Sequence, residues 1–194
     1  ADGRIIAFVS DASNLVPGAS GEQVYLMDRD PDGDGNLNNS NPTYTLVSRA
    51  ENGAAGNARS WYPSLSAGGD FVAFASAASN LRTQKSGFGG GAELADTNGV
   101  VDVYLYDQRT RQTELVSVRM AASSEADDIG NLVTGLSRLL QFDSFTPSIS
   151  DDGRYVAFKT LDNYVTSTDD FNLYQDNFAP DIFLYDRQAP QEDA

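Results

Sequence analysis

The chain has 194 residues, 40% of them apolar, and a net charge of −15 from 28 acidic against 13 basic side chains. Such a charge repels phosphate backbones and anionic headgroups, which excludes nucleic acid and membrane surfaces as natural partners, and no apolar run approaches the ~18 residues needed for membrane insertion. The absence of cysteine and histidine excludes disulfides, Cys/His zinc sites, serine–histidine dyads and cysteine nucleophiles.

In chain order, the first predicted element is the strand in "DGRIIAFVS" (2–10), whose "DGR" is turn chemistry and whose aromatic and β-branched residues suit a half-buried pleated surface. "ASNL" (12–15) follows, then a second strand in "VYLMD" (24–28). The acidic loop "DPDGDG" comes next, and a third strand lies in "YTLVSR" (44–49). "YPSLSAGGD" (62–70) and "GDFVAFAS" (69–76) read as a strand, a turn and a strand, and "ASNL" returns at 78–81. "VYLYD" (103–107), the turn "DQRTRQ" (107–112) and "TELVSV" (113–118) complete a hairpin. "DDIGNLVTGLSRLLQ" (127–141) breaks the pattern. Its Ile129, Leu132, Val133, Leu136, Leu139 and Leu140 fall at helical spacing, which predicts a short amphipathic helix covering a sheet end or meeting a partner. "TPSISDDGR" (146–154), "DGRYVAFKT" (152–160) and "IFLYD" (182–186) then repeat the earlier strands.

The same anchors thus recur in the same order, and Asp28, Asp107 and Asp186 are evenly spaced along the chain. Each unit reads as a four-stranded antiparallel meander, and such meanders repeated radially make a β-propeller. The boundaries are unit one 1–59, unit two 60–118, an insertion at 119–145 and unit three 146–194. The fold class is therefore all-β and propeller-like, with about three four-stranded blades and a short inserted helix. Unit one starts without its "PSLS" strand and unit three stops without its "LVS" strand, leaving about ten strands, two short of three complete meanders. Most of the Phe and Tyr residues, such as Phe71, Phe74, Tyr104 and Tyr106, lie on strands as core. Exposed Tyr62, Tyr164 or Tyr174 could instead form a carbohydrate or peptide platform.

The pattern "PSLSAGGDFVAFAS…NL…DTNGVVDVYLYD…TELVSV" resembles the TolB-like, WD-repeat-like propeller family of secreted and periplasmic bacterial proteins, over all of the chain except 119–145. The resemblance implies a ring of blades used mostly for binding and scaffolding. The chain departs from it in having three units where closure needs roughly four to eight. Open margins are templates for other strands, so the expectation is self-association into a ring or filament. A fragment of a longer propeller, serving as a glycan- or protein-binding module, and a loop-capped monomer are the alternatives.

Asp30, Asp32 and Asp34 match the first, third and fifth positions of a calcium loop, and Asn36 would add its backbone carbonyl. Position twelve is Asn41 where an EF-hand carries glutamate, so this is an EF-hand-like loop on a hairpin or else a solvated turn. Weaker calcium candidates are Asp96, Asn98 and Asp102 in "DTNGVVD" and Asp176, Asn177 and Asp181 in "DNFAPD". Asx-turns are the competing reading there, and unit one has "GASGEQ" at the same place.

Asp28, Asp107 and Asp186 occupy equivalent strand ends, which points to architecture: turn hydrogen bonds, or pairing with Arg29, Arg109 and Arg187. No nucleophile elbow, P-loop or dinucleotide fingerprint is present, so no catalysis is expected; a glycosidase-like hydrolase using carboxylate pairs is the remote alternative. The expected location is extracellular or periplasmic, with a leader removed ahead of "ADGRII".

Overall fold

The computed structural model describes residues 2–37, 41–81, 100–117, 144–160 and 181–188. The helix expected at 127–141 lies outside them. Ten strands form three antiparallel sheets. Sheet one runs β1 (Ile5–Ser10), β2 (Gln23–Asp28), β3 (Thr43–Leu46). Sheet two runs β4 (Ser60–Leu65), β5 (Phe71–Ser76), β6 (Asp102–Asp107), β7 (Gln112–Leu115). Sheet three holds β8 (Ser144–Ile149), β9 (Tyr155–Thr160) and β10 (Asp181–Asp186), with β9 in the middle. Sheet two is the complete meander that the sequence predicts. Sheet one lacks the counterpart of β4 and sheet three that of β7 among the described residues.

Register repeats with the sequence. Phe8 lies opposite Tyr25, Phe74 opposite Tyr104 and Phe158 opposite Phe183. Each pair is stacked, with ring centroids 5.7, 5.8 and 6.1 Å apart, the offset geometry aromatic quadrupoles favour. Strand residues alternate faces, so every sheet has two unlike sides. The aromatic side carries these pairs, flanked by Ile6, Val72 and Val156. The other side is mainly aliphatic: Ala7, Val24 and Leu26 in sheet one, Ala73, Val103 and Leu105 in sheet two, Ala157, Ile182 and Leu184 in sheet three.

Two cores follow from that asymmetry. The aliphatic side of sheet one closes on the aromatic side of sheet two, burying Val24, Leu26, Val72, Phe74, Tyr104 and Tyr106. The aliphatic side of sheet two closes on the aromatic side of sheet three, burying Ala73, Val103, Leu105, Val156, Phe158 and Phe183. Backbone joints repeat as well: the Ser60 amide donates to the Glu22 carbonyl (2.9 Å) and the Ser144 amide to the Val101 carbonyl (2.7 Å).

The first strand of a blade carries a bulge in both sheets that have one, at Trp61/Ser64 and Phe145/Ser148. There Tyr62 and Thr146 sit at φ 53, immediately before Pro63 and Pro147. A proline that lacks an amide and a residue in the left-handed region fit a bulge better than a regular ladder. The turns into β5 and β9 place Gly69 and Gly153 at φ +80 and +72, where an L side chain is strained. Both also touch the preceding sheet: a Cβ on Gly69 would stand 3.0 Å from Ile5, and one on Gly153 would stand 2.2 Å from the Phe71 ring.

Gly153→Ala is therefore expected to cost about 2 kcal/mol or more in a urea melt, combining backbone strain with overpacking. Gly3→Ala, at the same turn position with φ +79 and only Arg29 within reach at 3.8 Å, is expected to cost roughly half as much. Equal losses would show that the ring contact contributes nothing.

Candidate functional site

The acidic loop joins β2 to β3. Asp30, Asp32 and Asp34 offer carboxylate oxygens within 4.8 Å of one another, with Asp30 buried and the other two exposed. Asp30 organises the loop: its Oδ1 accepts the Asp34 amide (2.9 Å) and its Oδ2 the Gly35 amide (3.1 Å). Burial alone would raise the Asp30 carboxyl, but the Gly35 amide, the Asp32 side chain and the Asp34 amide outweigh it and hold it below the ordinary carboxylate value. The Asn36 amide donates to Asp34 Oδ1 at 2.7 Å. A carboxylate oxygen holding one amide keeps a second lone pair, so the three aspartates fit a hard, oxygen-seeking cation without breaking the loop's backbone amide bonds, the cation taking the place of the proton shared by Asp30 and Asp32.

Asp102 belongs to a different arrangement. It is 4% exposed and accepts the Ser117 hydroxyl at 2.7 Å, while the same hydroxyl oxygen accepts the Val103 amide at 3.0 Å. Sheet one repeats this with an amide side chain: the Ser48 hydroxyl donates to Gln23 Oε1 (2.6 Å) and accepts the Val24 amide (3.0 Å). The neutral Gln23 thus performs the same fastening, which the serine of the "LVS" motif could have signalled. Asp96, Asn98, Asp176 and Asn177 lie outside the described residues, and only the backbone of Asp181 is described, at the start of β10.

The strand-end aspartates accept turn amides as expected: Asp28 from Asp30 (3.0 Å), Asp107 from Arg109 (2.8 Å) and Asp186 from Gln188 (3.0 Å). Their ion pairs correct the sequence reading in two of three cases. Asp28 is held by Arg4 through Nε (2.9 Å) and Nη2 (3.0 Å), and Asp186 by Arg154 through Nε (2.8 Å) and Nη2 (2.6 Å). The arginine comes from the "DGR" turn on the neighbouring strand, since the antiparallel register sets Asp28 beside Ile5 and Asp186 beside Tyr155. Arg29 instead donates to the Gly3 carbonyl (3.1 Å), and the Arg187 guanidinium lies 3.9 Å from the Phe71 ring centroid. Only Arg109 meets its expected partner, with Nε 3.7 Å from Asp107. The corresponding turn of sheet two reads "GGD" and offers Asp70 in place of an arginine.

Among the described residues, β1 and β10 each have one strand neighbour, where their counterparts β5 and β6 in sheet two each have two. On β10, Ile182 is 73% and Leu184 60% exposed, whereas Val24, Leu26, Val103 and Leu105 at the same register are 2% or less. Tyr62 is 52% exposed on the bulge of β4, edge-on to Trp61 at 6.3 Å, and Arg59 covers the Trp61 ring at 5.3 Å. Tyr164 and Tyr174 lie outside the described residues. No helix among the described residues is long and apolar enough to cross a membrane.

The architecture is that of a propeller-like array of antiparallel blades with incomplete first and last members. No family model matches the chain, and no curated protein matches it. Among solved structures, TolB from Acinetobacter baumannii is similar over 97% of this chain, with 17% identity and a TM-score of 0.43. The tricorn protease is similar over 84%, with 12% identity and a TM-score of 0.37. The chain spans 28% and 11% of the lengths of those two proteins.

A pH prediction comes from the Asp28 pair. The Arg4 hydrogen bond, against the cost of burial and with help from the Asp30 amide, holds the Asp28 carboxyl below its ordinary 3.8. A depressed folded value contributes stability that is fully present above the unfolded value and disappears as pH falls through the folded one. Asp28→Asn is expected to flatten the loss of stability as pH falls below about 4, because amides do not titrate. Urea melts across that window in both proteins check it; identical slopes would exclude a contribution from this pair.

Proposed function

We propose that the chain is a non-catalytic structural protein of the extracellular or periplasmic space, which assembles with copies of itself by completing its open blades and is stabilised by calcium. One observation carries the reading: among the described residues, sheet one has no counterpart of β4 beside β1 and sheet three none of β7 beside β10, so the two sheets present unpaired edges at unlike positions of the meander. Unpaired strand edges recruit backbone partners, and unlike margins favour head-to-tail contact over symmetric pairing. The non-catalytic part is supported by the strand-end aspartates, all committed to turn amides and arginines.

Calcium enters at Asp30, Asp32 and Asp34, where it would neutralise three neighbouring carboxylates in a chain of net charge −15. A second reading, a glycan- or protein-binding module of a larger propeller, draws on the exposed Tyr62 beside Trp61. A glycan array separates it from the first, since saturable binding by a monodisperse monomer favours the module.

The primary test is sedimentation velocity across a wide protein concentration range, with calcium and with EDTA. The expected result is a mass that grows with concentration and falls on chelation. A monomer of 20.8 kDa at every concentration would end the assembly reading. For the metal, calcium at a hundredfold excess over Kd is expected to stabilise the fold by about 2.7 kcal/mol. The double variant Asp32→Asn with Asp34→Asn is expected to lose that increment. A calcium-independent melting curve would remove the metal from the proposal.

A further inference from the structure

Ile182 and Leu184 are large apolar side chains left 73% and 60% exposed, and the repeat itself says what covers that register. In sheet one the equivalent Val24 and Leu26 lie under the aromatic side of sheet two. In sheet two Val103 and Leu105 lie under the aromatic side of sheet three. The covering surface has the same composition both times: a stacked aromatic pair flanked by a β-branched residue. One such surface stands uncovered by another sheet among the described residues, and it belongs to sheet one. There Ile6, Phe8, Leu15 and Tyr44 are only half-buried, while the matching Val72, Phe74, Leu81 and Thr113 of sheet two are buried.

The turn glycines give an independent indication. Gly69 packs on Ile5 and Gly153 on Phe71, the first residues of the equivalent strands β1 and β5 of the preceding sheet. Continued by one step, the series requires a turn glycine against Tyr155. Gly3 holds that turn position at φ +79, and among the described residues a Cβ there would meet only Arg29, at 3.8 Å, which leaves room for a Tyr155 side chain. Lys159 stands on the uncovered face of sheet three where sheets one and two have Val9 and Ala75. It brings a positive charge to a joint between two chains of net charge −15.

We propose that the aliphatic face of sheet three, centred on Ile182 and Leu184, docks the aromatic face of sheet one of a second copy of this chain, so that the intramolecular blade contact is repeated between molecules. This rests on the assembly reading and specifies its interface. The contact is heterologous, because the two faces are different surfaces of one chain, and it closes into a ring or runs on as a filament according to the rotation per blade.

A complementation experiment tests it. Ile182→Lys with Leu184→Lys removes the aliphatic partner, and Leu15→Asp removes the aromatic one. Both sets of positions are exposed or half-buried, and near-ultraviolet circular dichroism reports whether each variant keeps its packing; Tyr44→Lys replaces Leu15→Asp if the latter unfolds. In sedimentation velocity the unaltered chain is expected to associate, and each variant alone is expected to remain at 20.8 kDa with association weakened at least tenfold. An equimolar mixture of the two is expected to form a species of twice that mass that grows no further, since each variant retains the face the other has lost. Association of both variants alone, or a mixture that stays monomeric while both are folded, overturns this interface but leaves assembly by strand edges standing. An unaltered chain that never associates overturns both.

Discussion

Everything in this molecule depends on sheets whose two faces differ and can be covered only by unlike faces. A β-strand sends alternate side chains to opposite sides. Here the "VAF" and "YLYD" strands put rings on one side and small or aliphatic groups on the other, in all three repeats. Stacked rings present a broad, rigid surface, and the aliphatic side supplies the shallow relief that fits against it. At about 25 cal/mol per Å² of apolar surface removed from water, these two intersheet contacts are the main favourable term in the fold. They also give the stack a direction: each blade meets its successor through one face and its predecessor through the other.

Polar fastening keeps the sheets in register without weakening those cores. Ser48 with Gln23 and Ser117 with Asp102 let "LVS" strands leave the ladder while the buried amides of Val24 and Val103 stay satisfied. Ser60 and Ser76 bond to each other at 2.8 Å inside sheet two. Between sheets two and three, the Tyr185 hydroxyl donates to the Glu114 carboxylate, and burial of the ring, followed by that bond, raises the Tyr185 value. The fork-shaped Arg4–Asp28 and Arg154–Asp186 pairs then fix two of the three hairpins at the ends where their turns begin.

The blade order, the ten strands and the aromatic cores were legible because they rest on local signals: turn residues, β-branched runs and anchors in fixed order. The acidic loop was legible for the same reason, and its three carboxylates do come together. The partners of Asp28 and Asp186 were not. A nearest-neighbour arginine is the natural guess along a chain, but antiparallel register brings Arg4 and Arg154 across from the other strand. Asp102 stood among the weaker calcium candidates, with an Asx-turn as the competing reading, and its burial against Ser117 was not visible because it depends on a strand that returns later. The bulges at Tyr62 and Thr146 were also hidden, since a proline in a strand permits an edge, a bulge or a break alike. Least legible of all was the uncovered face. "VYLYD" and "IFLYD" are equally apolar, and only a structure separates a buried Leu105 from an exposed Leu184.

The asymmetry of the faces also bears on which assembly the physics allows. A symmetric dimer through sheet three would set Ile182 and Leu184 against their own copies and leave the half-buried Phe8 and Tyr44 of sheet one in water. It would also bring two Lys159 side chains together, and like charges at a joint cost free energy. Head-to-tail contact satisfies both surfaces with one geometry that already occurs twice within the chain. The net charge of −15 opposes any association between copies, by long-range repulsion that salt screens over about 10 Å at 0.1 M. Apolar contact between the faces is short-ranged and barely screened. In the proposed assembly, ionic strength and any bound cation would govern how readily copies approach, while the match between aromatic and aliphatic sides would govern which surfaces meet.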